Sequence, residues 1–446
     1  MYVQAYKSEE VSGEIVLTIE TYTEITNLSF APSADLVGAS VPINEFEVDI
    51  HTTDNIDIGA YAELYDDNDN LWASYWVIYA EHIDQHTLRM RAQSNIALLD
   101  RVTLPAVYYN GESIATVLDN TIVKNSGAVG VLVPMAYTLD SSFSNVTITG
   151  FCPEQTARER LLWVCFVIGA YVKAFFNTQI EIIPIDTTQT MIPIEDTYWK
   201  PTITFNDWVT AIKCKAYSFT AGTPQTTDTY VKDASGTYYI VTETDLTLTN
   251  PDAPSAAPEN IMTIEGVYLV NSTNVSAILT HLSQWYFTRM EVDLDVIDNA
   301  AYIPGDKVVV YTDERTMKSG FINSATFTFG LQSKAAIHLT ASADVETGNL
   351  IIIYKYSTTE LERATYFFPV GYAYTITNPY IDQMRNNHRY IYRPLNENAT
   401  GTIAAGDNTN TQNCDIALDL YESVLHVISV DEVTETTDEI TIGVIA

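Results

Sequence analysis

A chain of 446 residues with 46% hydrophobic content is too long for one hydrophobic core and too apolar for wholesale disorder, so several packed domains are expected. Acidic residues outnumber basic ones 57 to 22, a formal charge of −35, which argues against wrapping of nucleic acid, because phosphate binding needs clustered Lys and Arg. The 29 tyrosines, with abundant Thr, Val and Ile, favour strands over helices and set the class as mainly β.

Residues 1–105 read as successive strands. Phe46, Val48 and Ile50 alternate with Glu45, Glu47 and Asp49, the two-residue period of a half-buried strand with one acidic face. Asp66–Asn70 is a polar turn. Leu88, Met90 and Ala92, alternating with Arg89 and Arg91, close the segment. Residues 106–199 change character. Ile114, Val117, Leu118 and Ile122 predict a short helix within Glu112–Ile122. A longer one is expected from Cys152-Pro153 to a C-cap at Gly169. Its apolar residues lie on all sides, Trp163 among them, which requires packing between other elements.

Residues 200–345 return to strands, broken by Thr/Pro/Ser-rich loops at Thr220–Asp228 and Asn250–Pro258 and by a helix near Val275–Phe287 with Asn274 as N-cap. Residues 346–446 form a β extension with a polar loop at Asn396–Asn413.

Two distant stretches repeat one order of features. Phe46–Ile50, Gly59 six residues before Tyr65, an acidic turn, Ser74–Ile78 and Leu88–Ser94 make the first. Met290–Val296, Gly305 six residues before Tyr311, Thr312–Glu314, Ser319–Ile322 and Ile337–Ala343 make the second. The match suggests two copies of one small barrel. A trimer would then set six barrels about one axis and mate a threefold object with a sixfold tube.

These features resemble the baseplate hub and tail-tip proteins of phages and phage-derived particles of Gram-positive bacteria, including the N-terminal part of tail-associated lysins. The resemblance rests on Thr156-Ala-Arg-Glu-Arg-Leu161, Gly169-Ala-Tyr171 and Ile180-Glu-Ile182 in the middle region. It also rests on Tyr302-Ile-Pro-Gly-Asp-Lys-Val-Val-Val310, and on Trp208–Lys215 as a strand announcing the second barrel. It covers roughly residues 14–345. It implies an α+β, mainly β chain: a tube-type barrel at 1–105, a helix-containing domain at 106–199, a second tube-type barrel with a loop insertion at 200–345, and the extension at 346–446.

The resemblance further implies a non-catalytic hub: a homotrimer contacting the tail tube, the distal tail or baseplate proteins and a tip or spike. DNA would pass without specific binding, and the location would be the virion tail, assembled in the host cytoplasm. Glu45, Glu47, Asp49, Glu291, Asp293 and Asp295 are the candidate lumen-facing residues, since like-charge repulsion keeps a polyanion from sticking. An aromatic-rich adhesin with Tyr366-Phe-Phe368, Tyr372, Tyr374 and Tyr380 is the alternative, and a cell-wall-degrading lysin a further one.

Other chemistry finds little footing. Asp66, Asn68 and Asn70 start like a calcium loop, but the twelfth position is Val77 and the central glycine is missing. His82 and His86 have HxxxH spacing without HExxH. No cofactor and no metal is expected. Cys152, Cys165, Cys214 and Cys414 lack CxxC spacing and read as free thiols of a reducing cytosol. The polar N-terminus lacks a signal core, and the longest apolar run, Leu161–Val172, is 12 residues against the ~20 of a membrane span.

Overall fold

The computed structural model describes residues 1–11, 14–37, 40–67, 69–123, 135–174, 179–185, 189, 191–194, 197, 201–226, 228–297, 302–313, 316–329 and 334–345, and beyond these the backbone strands between 347 and 445. Side chains are described for these residues except 7–11, 14–17, 179, 297, 311–313 and 316, and not beyond 345. The chain is mainly β. No helix among the described residues is long and apolar enough to cross a membrane.

One large sheet organises residues 1–345. Its principal strands in chain order are β1 (Tyr2–Val11), β2 (Glu14–Tyr22), β3 (Ile25–Ala31), β4 (Glu45–His51), β5 (Tyr61–Tyr65), β6 (Leu71–His82) and β7 (Thr87–Gln93) from the N-terminal part. Much later come β8 (Thr202–Phe205), β9 (Met290–Ile297), β10 (Lys307–Asp313), β11 (Thr316–Phe329) and β12 (Lys334–Val345). In space the order is β8-β9-β12-β11-β3-β4-β7-β6-β5-β1-β2, with β10 beside β11.

This order contains one pattern twice: β3-β4-β7-β6-β5 and β8-β9-β12-β11-β10. The registers agree as well. Val48 faces Met90 and Ile50 faces Leu88, while Val292 faces Leu339 and Leu294 faces Ile337. The Gly-to-Tyr spacing of the sequence marks one and the same turn. Ala60 N–H donates to Asp57 O at 3.1 Å and Asp306 N–H to Ile303 O at 3.2 Å. Each turn has a glycine at its third position with positive φ, 96° at Gly59 and 100° at Gly305. Side chains with a Cβ resist that region, and Pro304 pre-sets the position before it.

Each glycine N–H then donates at 2.8 Å to the carbonyl of the adjoining long strand, Gly59 to Val77 and Gly305 to Ile322. Each long strand returns a bond at 2.9 Å, Val77 to Ala60 and Ile322 to Asp306. Two meanders aligned by chance would not share strand order, register, turn and these four bonds. The chain carries an internal structural duplication.

The two halves meet edge to edge. Phe327, Thr328 and Phe329 of β11 pair antiparallel with Phe30, Ser29 and Leu28 of β3, and Ser33 bridges Ser324. Phe30 is fully buried there, its ring 6.1 Å from Phe327 and Trp72 and 6.2 Å from Tyr75. Burial of an aromatic ring of this kind is worth several kcal/mol.

The helices lie in a second core. Helix α1 (Ala157–Ile168) begins four residues later than Pro153 suggested, because Cys152 still belongs to a strand, Thr147–Cys152. Thr156 and Glu159 form a reciprocal capping box, which explains the T-x-R-E order, and Gly169 at φ 69° caps the other end. Arg160 is buried and donates to the carbonyls of Pro105 at 2.8 Å and Pro153 at 3.2 Å. The shorter helix covers only Ile114–Leu118, with a π-helical turn at Asp119–Val123, because Glu112 and Ser113 belong to strand Val107–Ser113. Helix α2 (Val275–Tyr286) stands where its periodicity placed it. Asn274 stands at its N-cap position but makes no side-chain cap bond; its carboxamide oxygen accepts from Asn271 N–H and its NH2 donates to Leu269 O instead.

Strand Ala211–Ala221 pairs with Tyr238–Thr249 and Ile261–Ile264 in a separate four-stranded sheet. Its Ile212, Cys214 and Ala216 join Leu161, Val164 and Leu282 in one cluster. The segment 208–215 therefore packs with the helices rather than opening the second set of large-sheet strands. Trp163 lies only half-buried beside this cluster, edge-on to Tyr268. The Asn396–Asn413 loop lies outside the described residues except at its last position. The strands beyond 345 form a five-stranded sheet and a two-stranded one.

If the two turns are equivalent, Gly59→Ala and Gly305→Ala should both destabilise, by about 1–2 kcal/mol from the backbone alone. Gly305→Ala should cost more, since a Cβ there meets the Tyr171 ring, whereas nothing lies within 4 Å at Gly59. Urea midpoints at constant m-value measure both.

Candidate functional site

The six acidic residues stand on β4 and β9, alternating with buried Phe46, Val48, Ile50, Val292, Leu294 and Val296. Residues directly opposite on neighbouring strands share a face. Phe46 opposes Phe30, and Phe30 opposes Phe327, so the buried face runs unbroken from one half into the other. The carboxylates of both halves accordingly occupy the opposite face of one continuous sheet.

They do not stand as bare charges. Asp49, half-way along β4, is 7% exposed and receives two bonds from Arg89, from Nε at 2.7 Å and from Nη2 at 2.8 Å. Arg89 lies directly across on β7 and also approaches Glu47 at 3.6 Å. These charge-assisted bonds hold the Asp49 carboxyl below the usual carboxylate range, against the upward push of its burial. Gln93, opposite Glu45, donates to its carboxylate.

The second half repeats the device with different residues. Asp293 opposes His338 in the register where Asp49 opposes Arg89, with His338 Nδ1 at 2.7 Å from its carboxylate. Lys334 reaches Asp295 at 3.2 Å, and Asn206 donates to Glu291 at 2.8 Å. Sequence reasoning singled out the carboxylates but missed these cross-strand partners. Arg89 and His338 sit in alternating strands of their own, and only the register joins them to β4 and β9.

The other candidates resolve into local structure. His82, at the end of β6, has its Nε2 3.0 Å from the backbone carbonyl of Asp54, and the His86 ring lies 5.7 Å from His51. Asp66 accepts from the backbone N–H and side-chain amide of Asn70, each at 2.8 Å, closing the β5–β6 turn on itself. Among the described residues no cluster of His, Cys, Asp and Glu is arranged to hold a metal ion. Cys152, Cys165 and Cys214 are buried free thiols, and burial pushes the first two up to about 12. The side chain of Cys414 is not described. An open apolar cleft of about 240 Å³ lies between α1 and α2, lined by Leu162, Trp163, Phe166, Met262 and Tyr286. Its polar residues, Thr263 and Glu265, make no acid–base pair.

No protein-family model and no curated protein matches the sequence. Solved structures do match. One is a tail protein from Neisseria meningitidis MC58, with 12% identity and a TM-score of 0.50, covering 76% of this chain and 96% of that one. Another is the 43 kDa tail protein of prophage MuSo2 from Shewanella oneidensis, with 12% identity and a TM-score of 0.51, covering 76% and 98%. The prophage tail protein gp18 from Listeria monocytogenes EGD-e is 12% identical with a TM-score of 0.49, covering 76% and 94%. At such identity the first two likenesses establish the fold alone: three quarters of this chain has the mainly β fold of those two tail proteins.

Replacing Arg89 by Met leaves the Asp49 carboxylate buried without its partner and should cost about 1–3 kcal/mol at neutral pH. A depressed carboxyl pKa contributes stability above the unfolded value near 3.9 and loses it as pH falls through the folded value. The stability gap between wild type and Arg89→Met should therefore close as the pH is lowered through that range. Urea unfolding at a series of pH values reads this directly; a pH-independent gap would assign the loss to packing of the Arg89 stem.

Proposed function

We propose that this chain is a non-catalytic structural hub at the distal end of a phage-type tail. Three copies form a pseudo-sixfold ring that joins the tail tube to the tip or spike and surrounds the passage for DNA. The observation that carries the reading is the duplication within one sheet. Two equivalent strand sets, joined side by side through β3 and β11, are one third of a six-part ring. The shared fold with tail proteins supports the location in a virion tail.

On this reading the two tube-type modules draw on residues 1–105 and 200–345, with the helix-containing domain of 106–199 between them in sequence and the β extension of 346–446 after them. The sheet face opposite the core is the one that faces the passage. It carries Glu45, Glu47, Asp49, Glu291, Asp293 and Asp295, with Arg89, Lys334 and His338 among them. Mixed charge of this kind offers no run of cations to hold a phosphate backbone. A polyanion therefore slides past it.

Light scattering coupled to size exclusion should give about 150 kDa, three chains of 49.7 kDa, and class averages should show a threefold ring with a central hole. Reversing charge at Glu291, Asp293 and Asp295 together should leave ring mass unchanged and slow DNA ejection from assembled particles. Ejection at the normal rate would remove these residues from the passage.

A further inference from the structure

The duplication predicts where one chain meets the next. Within the chain, β3 of the first half is covered by the end of β11 of the second. The counterpart of β3 is β8: Leu28 and Phe30 oppose Val48 and Phe46, and Ile203 and Phe205 oppose Val292 and Met290. The counterpart of β11 is β6, fixed by the matched bonds of Val77 and Ile322 to the two turn glycines. The two halves thus have the same pair of edges, one of each being joined inside the chain.

Among the described residues the other two edges are open. β8 ends the sheet, pairing only with β9 among the described strands. β6 is paired on its β5 side as far as Val77, through Gly59 and Ala60. Past Val77 no strand pairs that side among the described residues, whereas at the matching place in β11 the carbonyl of Asn323 accepts from Ala34 and the N–H of Ala325 donates to Pro32. Both open edges carry apolar surface. Phe30 is 0% exposed but its counterpart Phe205 is 59% exposed, and Ile83, just beyond β6, is 49% exposed. An open strand edge bearing large apolar side chains is a template for pairing with another chain.

We infer that β8 of one chain pairs antiparallel with the end of β6 of a second copy, repeating between chains the β3–β11 junction, with Phe205 buried at the seam. The inference rests on the ring reading and adds to it the residues that close the ring. Carrying the internal register across sets Phe205 opposite His82 and Asn206 opposite Glu81, the latter pair standing for Ala31 and Thr326. Three such seams alternate with three internal junctions.

Two experiments on the full chain test this. The double variant Glu81→Cys with Asn206→Cys, oxidised under native conditions, should yield a disulfide-linked three-chain species on a non-reducing gel, absent from either single variant. Phe205→Ser, at an exposed position, should keep the cooperative thermal unfolding of the chain while losing the trimer mass at concentrations where wild type holds it. A wild-type trimer in which the double variant forms no such species, or in which Phe205→Ser changes nothing, overturns the seam and leaves the ring. A wild-type chain that stays monomeric at every concentration overturns both.

Discussion

The architecture depends on three residues of β11, Phe327 to Phe329, lying beside three residues of β3, Leu28 to Phe30. That ladder joins strands about 300 positions apart in sequence, and it would be weak as hydrogen bonds alone, since backbone groups exchange water for protein with small net gain. Phe30 decides the matter. Its ring fills the space between Phe327, Trp72 and Tyr75, with Phe46 stacked 5.6 Å from Tyr75 behind it. Aromatic burial at the ladder makes the two halves one sheet with one buried face, and the common acidic face follows from strand alternation without further assumption.

Much of this was legible in the sequence, for a physical reason. A turn that needs positive φ at one position selects glycine, and a half-buried strand selects two-residue alternation. Gly59, Gly305 and the strands around Val48 and Val292 therefore announced themselves despite little residue identity. The capping box at Thr156 and Glu159 was not read from the sequence, because proline at position 153 drew the expected helix start too early. β8 was harder. Four residues, mostly exposed, carry no periodic signal, and their role comes from β9 beside them. Ala211–Ala221 misled because its alternation is that of any half-buried strand. Which sheet it joins is decided by its packing on Leu161, Val164 and Leu282.

The acidic site was half legible. Alternation told which residues leave the core, but not what stands across from them. Asp49 finds Arg89 and Asp293 finds His338 only through the β4–β7 and β9–β12 registers. A formal charge of −35 invites a picture of bare negative walls, and these six positions are not that. Exposed cross-strand pairs of this kind contribute little to stability. Asp49 differs because it is nearly covered, so its carboxylate requires Arg89 in a way that Asp293, more exposed, does not require His338.

Duplication within one chain frees the halves to differ where identical subunits could not. In a ring of six identical modules every junction would be alike, and each edge strand would have to serve a single purpose. Here Phe30 works inside a covalently tethered pair, where the effective concentration of its partner edge is high from the start. Phe205 occupies the same place at the open end, where it is 59% exposed and the Arg289 guanidinium lies 5.9 Å from its ring centre. Keeping an aromatic ring at an exposed edge invites misassembly. Its place at the position that is buried in the other half is the residue-level reason for the proposed seam, in which the two halves face the same kind of neighbour, one supplied in the chain and the other by a second copy.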